Sequence, residues 1–100
     1  MAFIQNIREW LMNKAIGGPS VYVHHRSLAT IAQEINKLWP DPYFGALLYI
    51  IAMENMVTTR DHYRTISGKA AIQLFILNAS SWRGDDAHRI KTELRHMLKD

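Results

Sequence analysis

Histidine is the side chain best suited to hold a metal or move a proton near neutral pH, and the chain has five: His24, His25, His62, His88 and His96. No two stand three or four positions apart, the spacing that puts two imidazoles on one helix face. His24 and His25 are adjacent and point in different directions. Asp85 and His88 have compatible spacing but no third ligand nearby in sequence, so neither a metal nor a cofactor is expected. Glu54 is the single charge on an otherwise apolar segment; buried, it would have a raised pKa, with His62 as a neighbouring base. The plainer reading sets Glu54 at a helix rim, paired with Arg60 or Arg64. There is no cysteine to act as thiol nucleophile or thiolate ligand. A Gly-x-Ser-x-Gly elbow and a recognisable pair of carboxylates are also missing. The sequence therefore predicts a protein that is not an enzyme.

Three short motifs have binding chemistry to weigh. Ser67-Gly68-Lys69 has the ending of a phosphate-binding loop, but that loop needs glycine at position 63 and Ser or Thr at position 70, where the chain has Tyr63 and Ala70. What remains is a helix start close to Arg64 and Lys69, which can hold an anion or simply be capped. Arg83-Gly84-Asp85 spells an adhesion tripeptide, too short a match to carry weight. Ser81-Trp82-Arg83-Gly84 places a tryptophan and an arginine, the types most enriched at binding hot spots, at a helix junction, where Trp82 can equally close the core.

The run from Arg26 to Asn36 resembles the first helix of a helix-turn-helix in its Leu-x-x-Ile-Ala rhythm. A recognition helix would then have to follow and offer basic or polar side chains to DNA. Tyr43 to Met53 offers hydrocarbon and contains no Lys or Arg, so a core helix accounts for the same spacing.

The elements that must position these residues follow from apolar periodicity. Phe3, Ile4, Ile7, Trp10 and Leu11 recur at helical steps and should stop by Gly17-Gly18-Pro19. Val21-Tyr22-Val23 favours an extended backbone, either a linker or a strand paired with residues 56–59. Ser27 caps a helix carrying Leu28, Ile31, Ala32, Ile35, Leu38 and Trp39 up to Pro40. Asp41-Pro42 then opens a helix over about 42–56 that is apolar on nearly every side, which places it at the centre, surrounded by other helices or by a partner chain. Thr58 to Ser67 reads as a polar surface connection with room for a helical turn. Ser67 caps a fourth helix, and a last one runs over about 85–98 with Asp85 and Asp86 in its first turn. Its stripe of Ala87, Ile90, Leu94, Met97 and Leu98 docks, leaving His88, Lys91, Arg95 and Lys99 for water.

The expected fold is all-α: one domain over residues 1–100, an orthogonal bundle of four to five helices around the 42–56 helix, with a short extended segment at 21–23. Hydrophobic residues make up 48% and charged residues 21%, enough apolar content for a core and too much for disorder. No apolar run approaches the roughly 20 residues that span a bilayer, and the N-terminus lacks a basic leader with an apolar stretch, so a cytoplasmic protein without a membrane partner is expected. The net charge of +3 is confined to the second half: through Thr58 basic and acidic residues balance, whereas Thr59 to Asp100 holds eight basic against five acidic.

Two functions fit these features. The first is an interaction module that binds another protein or a second copy of itself as a homodimer, using abundant apolar surface in a short chain. The second is nucleic-acid binding through the basic surface of the C-terminal half. The candidate interaction residues are Arg60, Arg64, Lys69, Trp82, Arg83, Lys91, Arg95 and Lys99.

Overall fold

Ser27 starts the first described helix as its type predicts. The structure, a computed structural model, describes residues 25–100, and the expected helix over Phe3 to Asn13 and the extended Val21–Val23 stretch lie outside the described residues. In α1 (Leu28–Leu38) the Ser27 hydroxyl accepts a hydrogen bond from the Thr30 amide at 3.0 Å. The first two amides of this helix, on Leu28 and Ala29, donate to the carbonyls of Val57 and Met56 at 3.0 and 2.9 Å. Those carbonyls belong to the 56–59 segment, which forms no strand; its acceptors close the open end of a helix instead.

Helix α2 (Phe44–Glu54) begins after a Tyr43 N-cap that makes no side-chain capping bond, not at Pro42 behind Asp41, and ends at Glu54, which leaves it shorter at both ends than the expected 42–56. It packs against α1 and also against α3 (Gly68–Asn78). Its inner face is Ala46, Ile50 and Met53, all at most 1% exposed. The expectation of a helix surrounded on every side is not met among the described residues. Phe44 is 85% exposed, Leu48 51%, Ile51 38% and Leu47 37%. Near-uniform hydrophobicity erases the polar face by which sequence reveals the solvent side, so an apolar face left outside looks the same as a core face.

The connection between α2 and α3 contains no helical turn. Its residues form an antiparallel ribbon of β1 (His62–Tyr63) and β2 (Ile66–Ser67), pairing His62 with Ser67 and Tyr63 with Ile66. Two features impose this reversal. Arg64 takes a left-handed φ of +60° between the strands. Before them, the Asp61 carboxylate accepts from the Val57 and Thr58 amides at 2.7 and 3.0 Å, which holds it below the usual carboxylate range.

Helix α4 (Asp85–Lys99) follows Gly84, whose φ of +109° is open to glycine and strained for other residues. It buries Ala87, Ile90, Leu94 and Met97 against α3 and α1, the stripe expected from the sequence. Aromatic rings lock the assembly: Trp39 at the end of α1 stacks on Trp82 with centroids 5.4 Å apart and planes 3° apart, while Phe75 of α3 meets both edge-on. The result is a compact, mostly helical globule with a single small ribbon among its described residues.

Candidate interaction surface

The exposed apolar residues of α2 fall at positions 44, 47, 48 and 51, the i, i+3, i+4, i+7 pattern of one helix face. The helix thus has two apolar stripes, 46-50-53 inward and 44-47-48-51 outward. Each flank is fixed by a neighbour. On one side Glu54 accepts a hydrogen bond from the Asn36 amide of α1. On the other, a Cβ at Gly45 would stand 2.8 Å from the Asn78 side chain of α3, so glycine permits the close crossing there. That contact also sets the C-terminal end of α3 beside the N-terminal end of α2, bringing Leu77, 71% exposed, to the same end of the helix pair as Phe44. Scattered single apolar residues are ordinary on a protein surface; four on one helix face are a patch.

The residues suggested by sequence lie in two groups. Arg60, Arg64 and Lys69 are exposed at the ribbon end of α3, with the Arg64 guanidinium over the Tyr63 ring at 5.4 Å from its centroid. At the other end of α3, a helical length of about 16 Å away, Trp82, Arg83, Lys91 and Arg95 line a common shallow depression. Lys99, exposed near the end of α4, lines a separate cleft with His25, Arg26, Glu93 and His96.

Two members of the second group have structural duties. Trp82 is 6% exposed in the aromatic stack. Lys91 donates to the Ala79 and Trp82 carbonyls, both at 2.7 Å, and so closes the C-terminal end of α3. Burial foremost, then the charges of Arg95 and Arg83, lowers its pKa.

The start of α3 is likewise taken up by the chain itself. The Gly68 amide donates to the Asp61 carbonyl at 2.8 Å, Lys69 to the Thr59 carbonyl at 3.2 Å, and Ala70 to the Ser67 hydroxyl at 3.1 Å. The amides an anion would need are occupied. Glu54 is exposed and turned to Asn36, and makes no ion pair with Arg60 or Arg64 among the described residues. Neither it nor His62 lines any of the clefts named here. Among the described residues no three His, Asp or Glu side chains converge, and no helix is long and apolar enough to cross a membrane.

The sequence surrounds α2 with other helices or a partner chain but does not separate its outward stripe from its inward one, because apolar residues on every side carry no mark of which face stays open. A signal was nevertheless present, since two independent helical stripes in one eleven-residue segment require two separate partners. Comparison of the chain with protein-family models, with curated proteins and with solved structures finds no match. The class defined by fold and surface is therefore a small, mostly helical domain that shows an apolar helix face to solvent.

Proposed function

We propose that the protein is a non-enzymatic interaction module that binds a partner polypeptide, a second copy of the chain included, through the outer face of α2. The observation that carries this reading is Phe44, 85% exposed at the head of the Leu47, Leu48 and Ile51 stripe. Covering such side chains removes apolar area from water at roughly 25 cal/mol per Å2, and large aromatic anchors are the residues on which interfaces concentrate their energy. The partner chemistry that fits is an apolar helical face with few charges, laid along the stripe.

The basic residues support the nucleic-acid alternative less well. Phosphate contacts need cations that share a surface, whereas Arg60, Arg64 and Lys69 sit a helix length from Arg83 and Arg95, and Lys91 is engaged with carbonyls.

The test compares wild type with a Phe44→Glu, Leu48→Glu variant. Light scattering after size exclusion, across concentrations, should show self-association that the variant loses, or host extract should yield a partner on the wild-type chain alone. A wild-type chain that stays monomeric and retains the same proteins as the variant overturns the proposal.

A further inference from the structure

Two arginines of the described surface are held by carboxylates. Arg26 pairs with Glu34 and Glu93, and Arg89 with Glu34 and Asp86. The depression at the junction of α3 and α4, about 260 Å3 in volume, instead gathers two arginines, a lysine and a histidine around one hollow. His88, Lys91 and Arg95 reach it from one face of α4 at i, i+3 and i+7 spacing, Arg83 from the loop, and Ser80 from the end of α3. No aspartate or glutamate lines it. Asp85 and Asp86 follow directly in sequence, yet neither borders it, and Asp86 turns to Arg89 at 3.3 Å. Among the described residues Arg83 and Arg95 form no ion pair, in contrast to Arg26 and Arg89.

Gathering like charges without a counter-charge costs free energy, which a bound anion would recover. The Ala79 and Trp82 carbonyls just past α3 account for Lys91, which donates to both, but not for the two guanidiniums. We propose that this depression binds a phosphate-type oxyanion, either free phosphate or a phosphate monoester. Lys91 supplies fixed positive charge from behind, while the guanidiniums of Arg83 and Arg95, the Ser80 hydroxyl and the His88 ring are the available donors. Two planar guanidiniums favour an anion that offers several pairs of oxygens. A phosphate monoester carries nearly two charges and three acceptor oxygens, against one charge and two oxygens for a carboxylate. The site shares no residue with the α2 stripe and does not depend on it.

The test is a titration of the 15N-labelled full chain at constant ionic strength, with inorganic phosphate in one arm and O-phosphoserine in the other. Saturable shifts are expected at the Gly84 and Ala87 amides and at the Arg83 and Arg95 Nε–H groups. Affinity should fall at least about tenfold in an Arg83→Gln, Arg95→Gln variant and stay unchanged in Lys69→Gln at the far end of α3. Both arginines are exposed, and unchanged circular dichroism confirms the fold; should the pair unfold the chain, Arg83→Gln alone serves. Binding in both arms indicates a monoester site, and binding of phosphate alone a free-ion site; each supports the proposal. Absence of saturation in both arms overturns it, as does full affinity in the arginine variant or an equal loss in Lys69→Gln.

Discussion

Two glycines and one lysine show how single residues hold the backbone of this protein together. A Cβ at Gly68 would stand 2.6 Å from the Thr58 carbonyl oxygen and from the Thr59 Cα, backbone atoms that cannot swing aside. Gly68→Ala should therefore cost about 2–3 kcal/mol through overpacking and push the 58–59 segment away from the start of α3. Gly84 differs, because nothing lies within 4 Å of its missing Cβ and the obstacle is only the φ of +109°. Gly84→Ala should cost about 1–2 kcal/mol, and urea denaturation of the two variants measures both effects. Lys91 works through its hydrogen bonds: Lys91→Met keeps the aliphatic stem but abandons the Ala79 and Trp82 carbonyls. A loss of about 2 kcal/mol is expected, measurable by the same denaturation series.

At the scale of elements, α2 makes opposite demands on its two stripes. Ile50 is 1% exposed, and its truncation to alanine leaves a cavity among Ala46, Met53 and the facing helices. About 3 kcal/mol should be lost. Leu48 is 51% exposed, so Leu48→Gln should leave stability within about 0.5 kcal/mol of wild type. Thermal melts of both variants check this contrast. If Leu48→Gln instead destabilises the isolated chain as much as Ile50→Ala, the outer stripe is part of the monomer's core and the interaction reading loses its basis. The ribbon shows a different balance, since its two-residue strands are too short to persist alone. They are held by their surroundings, through Asp61 on one side and the buried Gly68 on the other.

Across the whole molecule, α1 and α4 are joined at the surface by a charged network that runs from Arg26 through Glu34 to Arg89, with Glu93 and Asp86 at its margins. Hydrogen bonds from Arg89 and then Arg26 lower the pKa of Glu34 below its ordinary 4.5. A carboxylate with a depressed folded pKa contributes stability that is present above the unfolded value and lost as pH falls through the folded one. Glu34→Gln should accordingly be less stable than wild type at pH 7, by less than about 1 kcal/mol for so exposed a pair. The gap should close as the pH falls from the ordinary 4.5 through the lower folded value, and added salt should shrink it at pH 7. Denaturation at pH 7 and pH 3 reads the difference directly; equal gaps at both would remove the network from the balance.

Local chemistry written in the sequence was enough for much of this molecule. Ser27 and Ser67 announce the helices they cap, Pro40 bounds the first described helix, and Ala87, Ile90, Leu94 and Met97 mark the buried side of the last. Each follows from interactions within a few residues, so spacing alone reveals it. The ribbon was hidden because it depends on a left-handed arginine and on the Asp61 carboxylate bonding amides three and four residues back, features without a strong residue signature. The carboxylate-free depression was hidden as well, since which side chains share it depends on how the loop after α3 seats against α4. Most of all, hydrophobicity states that α2 must avoid water but cannot name the surface that shields it. Tertiary packing alone decided that 46-50-53 turns inward and 44-47-48-51 outward, because burial depends on which neighbours arrive and not on the side chain that waits for them.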